Sequence, residues 1–144
     1  MGYLGATSLL RTVRKTITFT GAANLGQAAT NATVFTVTGQ IHVVLLTPYC
    51  TVNLGEAAPT ATISLGTPLQ VALFIAATNS VDIDANEVWT ALNPITRSLA
   101  LPAALKDIEI NEDIIAACAT QNTNAGAIDF TLTYYPLSAN ALVV

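Results

Sequence analysis

The chain reads as an all-β protein, an antiparallel β-sandwich, on three observations. The first is a period-two stripe, Ala127-Ile-Asp-Phe-Thr-Leu-Thr-Tyr-Tyr135, in which Ile128, Phe130, Leu132 and Tyr134 alternate with Asp129, Thr131, Thr133 and Tyr135. Such a stripe gives a strand one face for a core and one for water or a partner. The second is punctuation: break signals recur every ~8 to 12 residues, the spacing of a sandwich or barrel. The third is composition, since the 21 threonines suit strands better than helices. No long stretch joins a helical period to helix caps.

Taken in order, residues 1–14 are expected to form a detachable N-terminal arm, and residues 15–144 the sandwich domain. Residues 15–20 alternate as a first strand, ended by the turn-rich stretch 21–26, where Gly21, Asn24 and Gly26 permit positive φ. Residues 32–38 and 40–47 are two strand candidates, or one strand bent at Gly39, closed by Pro48. A short candidate at 49–54 precedes the turn 55–59, and residues 60–65 alternate again before the break at Gly66-Thr-Pro68. The apolar run 69–77 fits a strand buried on both faces, its Val, Phe and Ile favouring strand over a short helix. After a turn at 78–80, residues 81–89 mix alternation with acids, and Asn93-Pro94 breaks the chain. Pro102 makes 99–105 an irregular edge. Residues 107–112 and 114–120 form two strands about a kink, and the polar turn 121–126 leads into the closing stripe.

Apolar residues make up 52% of the chain and charged residues 10%, against about 25% charged in a typical domain. Thr, Ala, Asn and Ser must therefore cover much of the exterior. Little self-repulsion then keeps copies apart, which predicts an oligomer or a subunit of an assembly. With a net charge of −4 and five Lys and Arg residues, the chain can neutralise few phosphates, so no nucleic-acid partner is expected. The uninterrupted apolar run of 71–77 is far below the ~20 residues of a spanning helix, so no membrane partner is expected either. The basic residues follow the first apolar stretch, contrary to a secretory signal, and synthesis in a host cytoplasm is the default.

The constellations that could carry chemistry are weak. Cys50 and Cys118 are distant and lack a CxxC pattern, which predicts free buried thiols. His42, the single histidine, lies out of phase with Ile41, Val43 and Leu45 and so faces outward; no GxSxG elbow accompanies it. Asp82 and Asp84, with Asn86 and Glu87 following, offer hard oxygen ligands for Ca²⁺, but the glycine of an EF-hand loop is missing. A second acidic set, Asp107, Glu109, Glu112 and Asp113, could pair with the first for glycoside hydrolysis, yet Trp89 is the single tryptophan and its expected place is the core or an interface. Phosphate-cradling motifs are absent. The expectation is no enzyme, no cofactor and no metal site.

Several segments together, Thr16-Ile-Thr-Phe-Thr-Gly21, Val34-Phe-Thr-Val-Thr-Gly39, Ile75-Ala-Ala-Thr78 leading into Val81-Asp-Ile-Asp-Ala-Asn-Glu-Val-Trp89, and Gly126-Ala-Ile-Asp-Phe130 leading into Tyr135-Pro-Leu-Ser138, resemble small virion proteins of tailed bacteriophages. In particular the chain is similar to capsid decoration, or cement, proteins. That resemblance implies a jelly-roll-like sandwich, a homo-oligomer, often a trimer, and a place on the capsid surface against a lattice of major capsid protein. Tail-tube, head-fibre and glycan-binding host-attachment subunits share this style and are the alternatives. The residues expected at the partner contact are Arg11, Arg14 and Lys15 of the arm, Asp82, Asp84, Glu87 and Trp89, and the loop 21–31.

Overall fold

The computed structural model describes residues 9–56, 60–90 and 100–144. The expected break at Asn93-Pro94, the turn residues 57–59 and most of the expected arm lie outside the described residues. Ten strands run through the rest: β1 (Arg11–Thr18), β2 (Thr30–Phe35), β3 (Val37–Thr38), β4 (Ile41–Glu56), β5 (Thr62–Gly66), β6 (Ile75–Asn79), β7 (Lys106–Ile110), β8 (Ile114–Ala119), β9 (Thr123–Pro136) and β10 (Leu142–Val143). Among the described residues of the connection from β6 to β7, Ser80–Asp82 and Ala103–Leu105 form 3-10 turns.

Two four-stranded antiparallel sheets, β1-β9-β4-β7 and β2-β8-β5-β6, form the sandwich, and β3 pairs with β10 at its margin. Within the eight main strands the pairs are first with last, second with second-last, and so inward: β1 with β9, β2 with β8, β4 with β7, β5 with β6. A long antiparallel ribbon rolled up on itself gives this pairing, which is the jelly roll. The expected antiparallel β-sandwich is what the chain forms.

β9 is one of the two inner strands of its sheet, and the alternation of its apolar residues is realised as expected. Ile128, Phe130, Leu132 and Tyr134 are buried, whereas Tyr135 is exposed and Thr131 and Thr133 are half-buried; Asp129, on the outer face, is itself buried, bonded to Arg14 and Thr16. From the second sheet Ile63, Leu65, Ile114 and Ala116 face the same core. Gly126 lets β9 cross β4 closely: its φ is +105°, and a Cβ there would lie 2.5 Å from Leu54 Cδ2.

Four expectations are corrected. β1 starts at Arg11, inside the segment expected to be an arm, and residues 11–14 are paired with 134–131 of β9. Val13 and Ile17 point to the core while the charged side chains reach water, as an edge strand permits; the charges had hidden the alternation. β4 does not stop at Pro48 but runs on to Glu56. The carbonyls of Pro48 and Cys50 point to the side where β7 has already ended, accepting the N–H groups of Trp89 (2.9 Å) and Asn86 (2.8 Å). The nitrogen of Pro48 faces the same way, where no ladder partner requires its missing proton. The run 69–77 is strand only from Ile75; Thr67 and Gln70 exchange backbone hydrogen bonds of 3.0 and 3.1 Å in a turn that folds over Gly66, and Leu69 is 84% exposed. Lastly, residues 81–89 form no strand, only a single bridge from Val88 to Tyr49.

Candidate functional site

In a jelly roll the strand connections gather at the two ends of the sandwich, and here the ends differ in chemistry. At one end lie the connections 19–29 and 120–122 and the segments around 61 and 80. Asn122 Oδ1 accepts from Ala28 N–H at 2.9 Å, Thr123 N–H donates to the Gly26 carbonyl at 2.8 Å, and Ser80 N–H donates to the Ala61 carbonyl at 2.9 Å. Its exposed residues are chiefly small and polar, such as Ala22, Ala23, Asn24, Gln27 and Gln121.

At the opposite end the start of β1, the turns 36–40, 67–74 and 111–113, and the C-terminus converge. Leu69 N–H donates to Glu112 Oε2 at 3.2 Å, and Val37 N–H donates to Asp113 Oδ1 at 2.8 Å. Thr36 and Val144 exchange backbone hydrogen bonds of 2.8 and 3.1 Å, and Arg11 Nη1 reaches the Ala141 carbonyl at 3.4 Å. Among the described residues, eight of the eleven exposed large hydrophobic side chains sit here: Leu9, Leu10, Leu69, Val71, Tyr135, Leu137, Leu142 and Val144. The other three, Leu25, Val52 and Val81, are nearer the polar end. Single exposed apolar residues need no explanation, but their gathering at one end sets that end apart from the other.

Of the residues expected at a contact, the loop 21–31 lies at the polar end, and the charged ones are divided between the two margins of one sheet. Arg11, Arg14 and Lys15 lie on β1, one edge of the sheet β1-β9-β4-β7. Arg14, 66% exposed, forms an ion pair and hydrogen bond with Asp129 on β9, which also accepts from the Thr16 hydroxyl. The Thr16 hydrogen bond, and then the hydrogen bond and charge of the Arg14 guanidinium, hold the Asp129 carboxyl below its usual range against the opposing effect of burial. Asp82, Asp84 and Glu87 lie past the other margin, in a segment laid along β4: Cys50 N–H donates to the Glu87 carbonyl at 2.8 Å and Leu54 N–H to the Ile83 carbonyl at 3.1 Å. Glu87 is partly turned inward, its Oε2 accepting Asp84 N–H at 3.2 Å. The sheet thus keeps the basic and acidic sets apart.

Trp89 does not reach the surface. It is fully buried, and its indole N–H donates to Thr78 Oγ1 at 2.9 Å, so it anchors the 81–89 segment to the core instead of presenting a contact. His42 is half-buried, 3.4 Å from Asp107 Oδ1 on β7. Cys50 and Cys118 are free and buried, and burial pushes both thiols up to about 11. Among the described residues no three His, Cys, Asp or Glu side chains converge as metal ligands, and no helix is long and apolar enough to cross a membrane. Sequence reasoning missed the apolar end, because its members are scattered from Leu9 to Val144 and only the topology assembles them.

No family model and no curated protein matches this chain. Among solved structures it is similar to a chain of the capsid asymmetric unit of cyanophage Pam1, at 17% sequence identity and a TM-score of 0.51. The likeness covers 94% of this chain and 90% of that one. At that identity it speaks to the fold, a shared β-sandwich over nearly the whole length.

Proposed function

We propose that the chain is a virion structural protein, a non-enzymatic, oligomeric decoration protein that docks on a phage capsid shell and stabilises it. The observation that carries this reading is the gathering of exposed apolar side chains at one end of a small sandwich whose opposite end is polar. A subunit that sits upright on a lattice needs one sticky end and one wettable end. The likeness to a cyanophage capsid chain supports a setting in which jelly rolls serve as building blocks, and the sparse surface charge suits repeated contacts between neutral surfaces. Burial of about 1,600 Å² is the ordinary scale of a stable contact, and repetition around an oligomer adds avidity without a single strong site.

The test is addition of the purified protein to phage shells that lack it. Saturable binding in a fixed ratio to the major capsid protein is expected, together with a raised disruption temperature of the shell. Absence of binding to heads, with the protein found only in tails, would transfer it to a tail or host-attachment role.

A further inference from the structure

At the apolar end three carboxylates are tied to segments that carry exposed leucines. Glu112 Oε2 accepts the N–H of Leu69 itself, which is 84% exposed, at 3.2 Å. Asp113 Oδ1 accepts Val37 N–H at 2.8 Å, on the β3-β10 ribbon that bears the exposed Leu142. Glu109 Oε2 lies 3.5 Å from the side-chain amide of Gln40, whose carbonyl accepts the N–H of the exposed Leu137 at 2.9 Å. Acid and leucine therefore recur together at this end.

Each of these bonds occupies one oxygen of its carboxylate. Among the described residues Glu56 alone leaves a buried side-chain oxygen without a partner, so Glu112 Oε1 and Asp113 Oδ2, which take no bond, are open to solvent. Glu109 is exposed outright. Against the three acids the described part of this end sets one guanidinium, Arg11. Its register opposite Tyr134 puts it on the core face of β1, half-buried, with Nη1 3.4 Å from the Ala141 carbonyl.

We propose that the partner at the apolar end presents Arg or Lys side chains, their aliphatic stems lying along the exposed leucines and their cationic heads meeting the free carboxylate oxygens. The proposal rests on the docking reading above and names the chemistry of the surface docked upon.

Charge complementarity selects this occupant. A long basic side chain is apolar along its stem and cationic at its tip, which is the combination that a leucine beside a carboxylate matches. A second copy of this chain is disfavoured, because end against end would set three carboxylates against three. Phosphates of nucleic acid or of an anionic membrane meet the same repulsion. The capping bonds also prepare the site: a carboxylate already fixed by a backbone N–H gives up less freedom when it pairs.

The experiment is titration of phage shells that lack the protein with wild type and with Glu109→Gln/Glu112→Gln, at ~0.05 and ~0.5 M salt. Glutamine keeps an acceptor for Leu69 N–H, so the melting temperature of the variant should stay near that of wild type. Wild type is expected to dock more weakly at the higher salt, where exposed charges are screened. The variant is expected to dock about 3–10-fold more weakly than wild type at low salt and to respond less to salt. A variant that docks as wild type does, or a wild type that docks equally well or more tightly at high salt, overturns the basic partner and leaves docking standing. Absence of wild-type docking removes both.

Should the double variant fail to fold, Glu109→Lys at its exposed position answers instead. Reversal of that charge is expected to weaken docking at low salt and to spare it at high salt. Docking that is unchanged or tightened by the reversal overturns the proposal.

Discussion

The two ends of the sandwich are made from connections of the same two sheets, yet they have opposite surfaces. At the polar end, short turns close with side-chain amides and hydroxyls, as in the 2.9 Å bond from Ala28 N–H to Asn122 Oδ1 and the 2.6 Å contact of Ser80 with Thr123. At the apolar end, Glu112 and Asp113 also cap backbone N–H groups, but exposed Leu and Val side chains stand among the polar ones such as Gln40, Gln70 and Asn111. The local turns are satisfied equally well at both ends, so the apolar end is not an unfinished piece of core. What distinguishes it is surface chemistry, which the fold tolerates but does not require, and this contrast is what the proposed docking rests on.

The largest expected effect lies in the core both ends share. Trp89→Ala removes a fully buried side chain and its hydrogen bond to Thr78, and should cost about 3–5 kcal/mol of unfolding free energy. The 81–89 segment would lose its anchor, and docking would fall with the fold. Denaturant titration measures it; a loss under ~1 kcal/mol would mean that the segment is held by its backbone bonds to β4 alone.

The next effect separates the ends from the core. Leu69→Ser/Leu142→Ser replaces two exposed side chains, 84% and 48% accessible, so stability should change by no more than ~0.5 kcal/mol per site. Binding to shells, in contrast, should weaken by about 2–3 kcal/mol if both are buried in the contact. Unchanged binding with unchanged stability would sink the apolar end as the docking surface.

These positions also show what could be read before the fold was known. The stripe 127–135 was legible because in a central strand the pattern of burial and the pattern of sequence coincide. Leu69 was illegible for the opposite reason: an apolar residue was assumed to be interior, whereas the turn at Thr67 and Gln70 turns it outward. Pro48 and the charges of residues 11–14 misled because the rules against proline and charge in strands apply to fully paired strands, and each lies where one side is open. The apolar end itself could not be seen, since Leu10 and Leu142 come to the same end only through pairings such as β1 with β9 and β10 with β3.

Between the two ends, Asp129 tests how β1 is held. Its folded pKa lies below the unfolded value of about 3.9, as the Thr16 hydrogen bond and then Arg14 favour the carboxylate. Stability from this group is therefore complete above the unfolded value and is lost as pH falls through the folded one. Arg14 is 66% exposed, so water screens the ion pair. Asp129→Asn should cost ~1–2 kcal/mol near neutrality, and should flatten the loss of stability on acidification. Thermal melts of both proteins across the acid range provide the check; parallel curves would show that other carboxylates set the acid limit.

The smallest expected effect is the one on which the contrast of the ends turns. Ala23→Glu/Gln121→Glu adds two charges to exposed positions at the polar end, one in the 19–29 connection and one in the 120–122 connection. Neither original side chain is buried or takes part in a described hydrogen bond, so folding should move by no more than ~0.5 kcal/mol. If the polar end faces water when the protein stands on a shell, two more charges there are merely hydrated, and binding should stay within about twofold of wild type. If instead this end meets the lattice, two carboxylates forced into a contact must shed water without partners, which costs several kcal/mol. A large loss of binding in this variant would invert the assignment of the ends, and the cluster around Leu69 and Leu142 would then have to be explained as a surface for something other than the shell.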